Sequence, residues 1–66
     1  MNSFPKHGSP MDRGAADAYY WRPAKPHYWP QGTYKGYPVL EEDMTPEQIA
    51  DYYEGYDNQI DRKEWD

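Results

Sequence analysis

The sequence predicts a small, all-α domain in which two helices are joined by a long extended strap rich in proline and aromatic residues. Two segments start with residues that favour helix initiation, Ser9-Pro10 and Thr45-Pro46. Between them, residues 23–43 hold four prolines and two glycines in 21 positions, a density that no helix tolerates. At 66 residues, the chain has room for one domain.

The first helix is expected to begin after Ser9. The Ser9 side chain can accept a hydrogen bond from the backbone N–H of Asp12, and Pro10 at the first helical position gives up only an N–H that has no partner there. Pro23 disfavours helical dihedrals in the residue before it, so the helix is expected to end near Arg22. One face at helical spacing holds Met11, Ala15, Ala18, Tyr19 and Arg22.

The strap, residues 23–43, is too rich in Pro and Gly for regular secondary structure, and Pro38 argues against a central strand. Because large rings are costly to leave in water, we expect its aromatic side chains to pack inward over the helices. A short extended pair around 37–40 is compatible with this arrangement. The rings concerned are Tyr28, Trp29, Tyr34 and Tyr37.

The second helix has the clearest start in the chain. Thr45 and Gln48 have the spacing of a capping box, and Met44 and Ile49 that of a hydrophobic staple. We expect a helix from Pro46 to about residue 60, followed by Trp65 as an anchor or as a free contact for a partner. Its apolar stripe is predicted to contain Ile49, Tyr52, Tyr53, Tyr56 and Ile60.

The composition replaces the usual aliphatic core with aromatic residues. Four residues are Val, Leu or Ile, whereas eight are Tyr, three Trp and one Phe. The absence of cysteine excludes disulfides and thiolate metal sites. The longest apolar run, 18–21, is too short for a membrane span. We expect a flexible segment at 1–8 and a single helical domain at 9–66, without membrane association.

The titratable residues form no catalytic or metal-binding pattern. His7 and His27 are 20 positions apart in proline-flanked segments, and Ser9 is better explained as a helix cap than as a nucleophile. No glycine-rich phosphate loop and no metal-ligand spacing is present. We therefore expect a protein that is not an enzyme and uses no cofactor or metal ion.

The charge is divided along the chain. The net charge is −5 overall, with about +3 in residues 1–40 and about −8 in residues 41–66. An acidic half of this size repels phosphate, so we expect no direct binding to nucleic acid.

Two groups of side chains are candidates for binding a partner. Acidic residues of the second helix recur every three or four positions, so they form either an ordinary solvated face or a surface that imitates the phosphates of nucleic acid. Aromatic residues outside the predicted stripes are candidate anchors, because exposed Trp and Tyr are enriched at binding hot spots. The candidates are Glu47, Asp51, Glu54, Asp57 and Asp61, together with Tyr20, Trp21, Trp29 and Trp65.

Several segments resemble small proteins of tailed phages and enterobacterial prophages. They are the run from Asp12 to Arg22, then Pro26-His27-Tyr28, Thr45-Pro46-Glu47 and the run from Tyr53 to Asp57. The resemblance covers residues 12–65. It implies a cytoplasmic accessory protein, in a bacterial host, that binds and inhibits a host protein during takeover or against host defence. A nucleic-acid-handling host protein is the partner that an acidic, phosphate-like face would fit.

A second resemblance is to ribosome modulation factor, a small two-helix protein that binds the ribosome. It rests on Ala16 to Arg22, on Pro26-His27-Tyr28 and on Tyr52 to Tyr56. That family is strongly basic, whereas this chain carries −5. The resemblance implies a ribosome- or RNA-associated factor as an alternative function, and a structural virion or assembly component is a third.

Overall fold

The computed structural model describes residues 7–64. It is mostly helical, but the prediction of a purely all-α fold is wrong because two short strands of the strap pair antiparallel. Within the described residues, no helix is both long and apolar enough to cross a membrane. The elements are α1 (Pro10–Tyr19), β1 (His27–Tyr28), β2 (Val39–Leu40), a 3-10 turn (Glu41–Asp43) and α2 (Pro46–Asn58).

Helix α1 begins as predicted. The Ser9 hydroxyl accepts from the Asp12 N–H at 3.3 Å, and the Asp12 carboxylate accepts from the Gly8 N–H at 2.9 Å. The helix ends at Tyr19, not near Arg22, because Trp21 takes a left-handed backbone with φ of 62°. The helix therefore ends before the position at which Pro23 would disfavour helical dihedrals.

Helix α2 also begins as predicted, with a complete capping box. The Gln48 N–H donates to the Thr45 hydroxyl at 3.2 Å, and the Gln48 side chain accepts from the Thr45 N–H at 2.9 Å. The helix ends at Asn58, two residues before the predicted end, because residue 59 has an extended backbone.

The predicted stripe of α2 is only partly buried. Tyr52 is fully buried, and Ile49 and Tyr56 are half-buried. The prediction is wrong for Tyr53, which is 39% exposed, and for Ile60, which is 91% exposed. Ile60 lies beyond the helix end, and the Tyr53 ring packs edge-on against the Tyr52 ring, which takes the central position.

The two helices meet backbone against backbone at two glycines. A Cβ atom on Gly14 would lie 1.9 Å from the Tyr52 carbonyl oxygen, and one on Gly55 would lie 2.1 Å from the Met11 carbonyl oxygen. Only residues without a side chain allow this approach. The close contact lets a chain with few aliphatic residues bury a side chain from each helix, Ala18 of α1 and Tyr52 of α2.

The strap forms the small sheet and then turns. His27 pairs with Leu40, and Tyr28 pairs with Val39. The extended structure expected around 37–40 is therefore present at Val39–Leu40, but its partner strand was not predicted. Tyr28 and Trp29 are half-buried as expected. Tyr34 and Tyr37 are exposed, which corrects the expectation that they pack inward. Tyr34 itself has a left-handed backbone with φ of 66°, and the turn around it places both rings at the surface.

Candidate partner-binding surfaces

The acidic residues of α2 form a continuous exposed surface, here called the acidic ridge: Glu47, Asp51, Glu54 and Asp57. Among residues 7–64, every ion pair involves Asp17, so no residue of the ridge is neutralised by a cation. Asp61 was predicted to belong to this face. It is exposed but follows the end of α2, so it is not part of the helical ridge.

Tyr20 and Trp21 lie together at the end of α1, and each carries a guanidinium over its ring. The Cζ atom of Arg22 lies 4.9 Å from the Tyr20 ring centroid, and that of Arg62 lies 5.5 Å from the Trp21 ring centroid. Trp21 is 61% exposed. These four residues are called the Trp21 surface below.

The backbone of Trp21 is held in an unusual conformation by the segment that follows α2. A positive φ is rare for a bulky residue and costs on the order of 1–3 kcal/mol. The indole Nε1–H of Trp21 donates to the Lys63 carbonyl at 2.8 Å, and the Lys63 N–H donates to the Tyr19 carbonyl at 2.7 Å. These bonds fix an exposed tryptophan in one orientation.

Of the other two predicted aromatic anchors, Trp29 is not part of the Trp21 surface. Trp29 is half-buried, its ring meets the Tyr34 ring edge-on at 5.5 Å, and its backbone N–H donates to the Gly8 carbonyl at 2.7 Å. It therefore helps to fix the strap. Trp65 lies outside the described residues.

A buried polar network, which the sequence reasoning missed, surrounds Asp17. Its carboxylate accepts a hydrogen bond from the Tyr52 hydroxyl at 2.5 Å and lies 3.2 Å from Arg22 and 3.7 Å from Arg13. The Tyr52 oxygen also accepts from the Lys25 N–H at 3.0 Å. The network therefore links α1, the strap and α2. The i,i+4 spacing of Arg13 and Asp17 beside Gly14 was the signal available in the sequence.

His27 and Tyr52 each have two hydrogen-bond partners in this network. His27 Nδ1 lies 2.8 Å from the Lys25 carbonyl oxygen, to which it donates, and Nε2 accepts from Arg13 Nε–H at 3.3 Å. Both ring nitrogens of His27 therefore have hydrogen-bond partners. Burial, and then the hydrogen bond to Asp17, raise the pKa of Tyr52 above its usual range. Tyr52 therefore stays protonated and structural.

An open cleft of about 400 Å³ lies beside this network, where the end of α1 faces the strap. Its walls are mostly apolar and come from Pro23, Pro26 and Leu40. Four charged or titratable residues complete its lining: Asp17, Arg22, Lys25 and His27. This proline-lined cleft was not predicted, because its residues come from three separate elements.

Comparison with protein-family models, curated proteins and solved structures finds no match to this chain. In the part of the chain described, no three His, Asp or Glu residues are grouped so that they could hold a metal ion. The acidic ridge, the Trp21 surface and the cleft are the candidate binding sites of the described residues.

Proposed function

We propose that this chain is a non-catalytic accessory protein of phage or prophage origin that binds and inhibits a host protein in the bacterial cytoplasm. The observation that carries the proposal is Trp21, an exposed indole fixed on a strained backbone. The resemblance to small phage and prophage proteins supports the proposed origin and the proposed role in host takeover or anti-defence.

Trp21 has the properties of a binding anchor. Tryptophan is enriched among the few residues that carry most of the energy of an interface. Its indole N–H is already bonded to the Lys63 carbonyl, so it can be covered by a partner without leaving a buried donor unpaired. Because the side chain is already fixed, little conformational entropy is lost when a partner covers it.

The acidic ridge supports a partner that normally handles nucleic acid. Carboxylates three or four residues apart on a helix lie about 5–6 Å from one another, a spacing close to that of phosphates along a strand. Since none of them is paired within residues 7–64, their field is available to steer a basic surface toward the chain. Inhibition then follows from occupation of the nucleic-acid site.

A ribosome- or RNA-associated role is the second candidate. The observation in its favour is the pair of guanidinium groups over the Tyr20 and Trp21 rings, since rings and arginines together also stack on bases. The net charge of −5 argues against it. Binding that weakens steeply with salt would favour this alternative.

The test is quantitative capture of host proteins by the full-length chain, with and without nuclease treatment of the lysate. We expect one protein to be enriched in both conditions and its capture to fall about thirtyfold with Trp21→Ala, which corresponds to the ~2 kcal/mol of a hot spot. Tyr37→Ala is the matched control, because Tyr37 is 90% exposed. Equal capture by both variants contradicts the proposal, and capture abolished by nuclease favours the RNA-associated role.

A further inference from the structure

The proline-lined cleft combines an apolar wall with a cationic rim. Pro23, Pro26 and Leu40 line it, and Leu40 is half exposed although it pairs with His27 in the small sheet. Exposed apolar side chains around a concave surface are typical of a ligand site. A volume of about 400 Å³ is within the ordinary range of small-ligand sites.

Arg22 offers unused hydrogen-bond donors at this cleft. Its side chain is 45% exposed, and only Nη1 is engaged, by Asp17 at 3.2 Å. Its Cζ atom lies over the Tyr20 ring, 4.9 Å from the ring centroid. Among residues 7–64 the remaining N–H groups have no acceptor, and a guanidinium edge matches the two oxygens of a carboxylate.

The other polar groups of the lining divide into used and unused ones. Both nitrogens of His27 have partners, and Asp17 is occupied by Tyr52 and the two arginines. Lys25 is exposed, and its ammonium has no ion pair within the described residues. The charged groups of the cleft that remain available to a ligand are therefore the Arg22 guanidinium and the Lys25 ammonium, and both are cationic.

We propose that the proline-lined cleft binds a carboxylate attached to an apolar group. The carboxylate lies between Arg22 and Lys25, and the apolar group contacts Pro23, Pro26 and Leu40. A singly charged carboxylate is favoured over a doubly charged phosphate because of Asp17, which lies 3.2 Å from Arg22. Asp17 already offsets part of the positive charge and would repel a dianion. The same chemistry is found in a small organic acid and in the C-terminus of a peptide that ends in an apolar residue.

The cleft shares Arg22 with the Trp21 surface, but its lining includes neither Trp21 nor a residue of the acidic ridge. Failure of the carboxylate site therefore leaves the proposed function standing. The experiment is an NMR titration of the isotope-labelled full-length chain with benzoate, with its neutral isostere benzamide and with acetate. We expect benzoate to shift the backbone amides of Lys25, His27 and Leu40, with a dissociation constant on the order of millimolar. Benzamide and acetate are each expected to bind at least fivefold more weakly.

Lys25→Met is the test variant and Lys35→Met the matched control. We expect the first to weaken benzoate binding about threefold, the effect of one exposed charge, and the second to leave it unchanged. Equal binding of benzoate and benzamide, or equal effects of the two variants, overturns the carboxylate site. So does tighter binding of phenyl phosphate than of benzoate, or the absence of shifts in the cleft.

Two further probes identify the source of the carboxylate. They are N-acetylated glycyl-glycyl-phenylalanine and the same peptide with a C-terminal amide. If the peptide acid binds more tightly than benzoate while its amide does not bind, the natural ligand class is a peptide C-terminus. If the peptide acid binds no better than benzoate, the ligand class is a small organic acid.

Discussion

Replacing Gly14 by alanine tests the central packing contact of the fold. Helix propensity alone predicts a gain, because alanine is more favourable than glycine in a helix by about 1 kcal/mol. The new Cβ would, however, lie 1.9 Å from the Tyr52 carbonyl oxygen, against 3.4 Å or more in an ordinary contact. The helix backbones must therefore separate by about 1.5 Å, which partly exposes Ala18 and Tyr52.

The expected magnitude follows from these opposing effects. Overpacking costs about 1–3 kcal/mol when side chains can adjust, and the atom met here is backbone, so the cost is at the upper end. After the gain in propensity, we expect a net loss of about 2 kcal/mol, which lowers the melting temperature by roughly 10 °C in a domain of this size. The assay is thermal unfolding followed by circular dichroism.

Gly55→Ala is the companion variant, because its Cβ would lie 2.1 Å from the Met11 carbonyl oxygen. Separation of the helices relieves both clashes, so the double variant should lose less than the sum of the two single variants. Ala50→Gly, at an exposed position of α2, measures the propensity effect alone and should lose about 1 kcal/mol. The reasoning is refuted if Gly14→Ala and Gly55→Ala melt at or above the wild-type temperature.

Three other outcomes are expected. Thr45→Ala removes the capping box and should lower stability by about 1 kcal/mol in thermal melts; an unchanged melt contradicts the cap. Because the pKa of Tyr52 is raised in the folded state, the protonated Tyr52 hydroxyl stabilises the fold. This stabilisation is complete below pH ~10 and is lost as pH rises above that value. Urea titrations should therefore show a steeper alkaline loss for wild type than for Tyr52→Phe, and equal slopes would argue against the network. Reversal of three ridge acids to Lys should weaken partner binding at least tenfold, whereas the same reversal at residues 41–43 should not; equal losses would mean that only net charge matters. The ridge acids to change are Glu47, Asp51 and Glu54.

The helix starts were predictable because they depend on neighbours in sequence. Ser9 and Thr45 cap the helices through bonds to residues three positions away. The helix ends were predicted less well, because the end of α1 depends on Trp21, whose conformation is fixed by Lys63, 42 positions later.

The buried contacts were the least predictable part of the molecule. Glycine in the middle of a helix ordinarily weakens it, whereas the missing side chain of Gly14 permits the helix contact. The buried position of Asp17 could not be predicted from its neighbours in α1, because its partners Tyr52 and Arg22 lie outside that helix. The candidate anchors Tyr20 and Trp21 were identified because they fall off the apolar stripe, and both are indeed exposed.

Competition with nucleic acid is the measurement that tests the proposed function most directly. The captured host protein is purified, bound to a labelled nucleic acid, and titrated with the chain while fluorescence anisotropy is recorded. Occupation of the nucleic-acid site predicts that wild type releases the labelled strand and that Trp21→Ala needs at least tenfold more protein to do so, as expected for loss of a hot-spot residue. Formation of a ternary complex, with the strand still bound at saturating chain, would contradict the proposal.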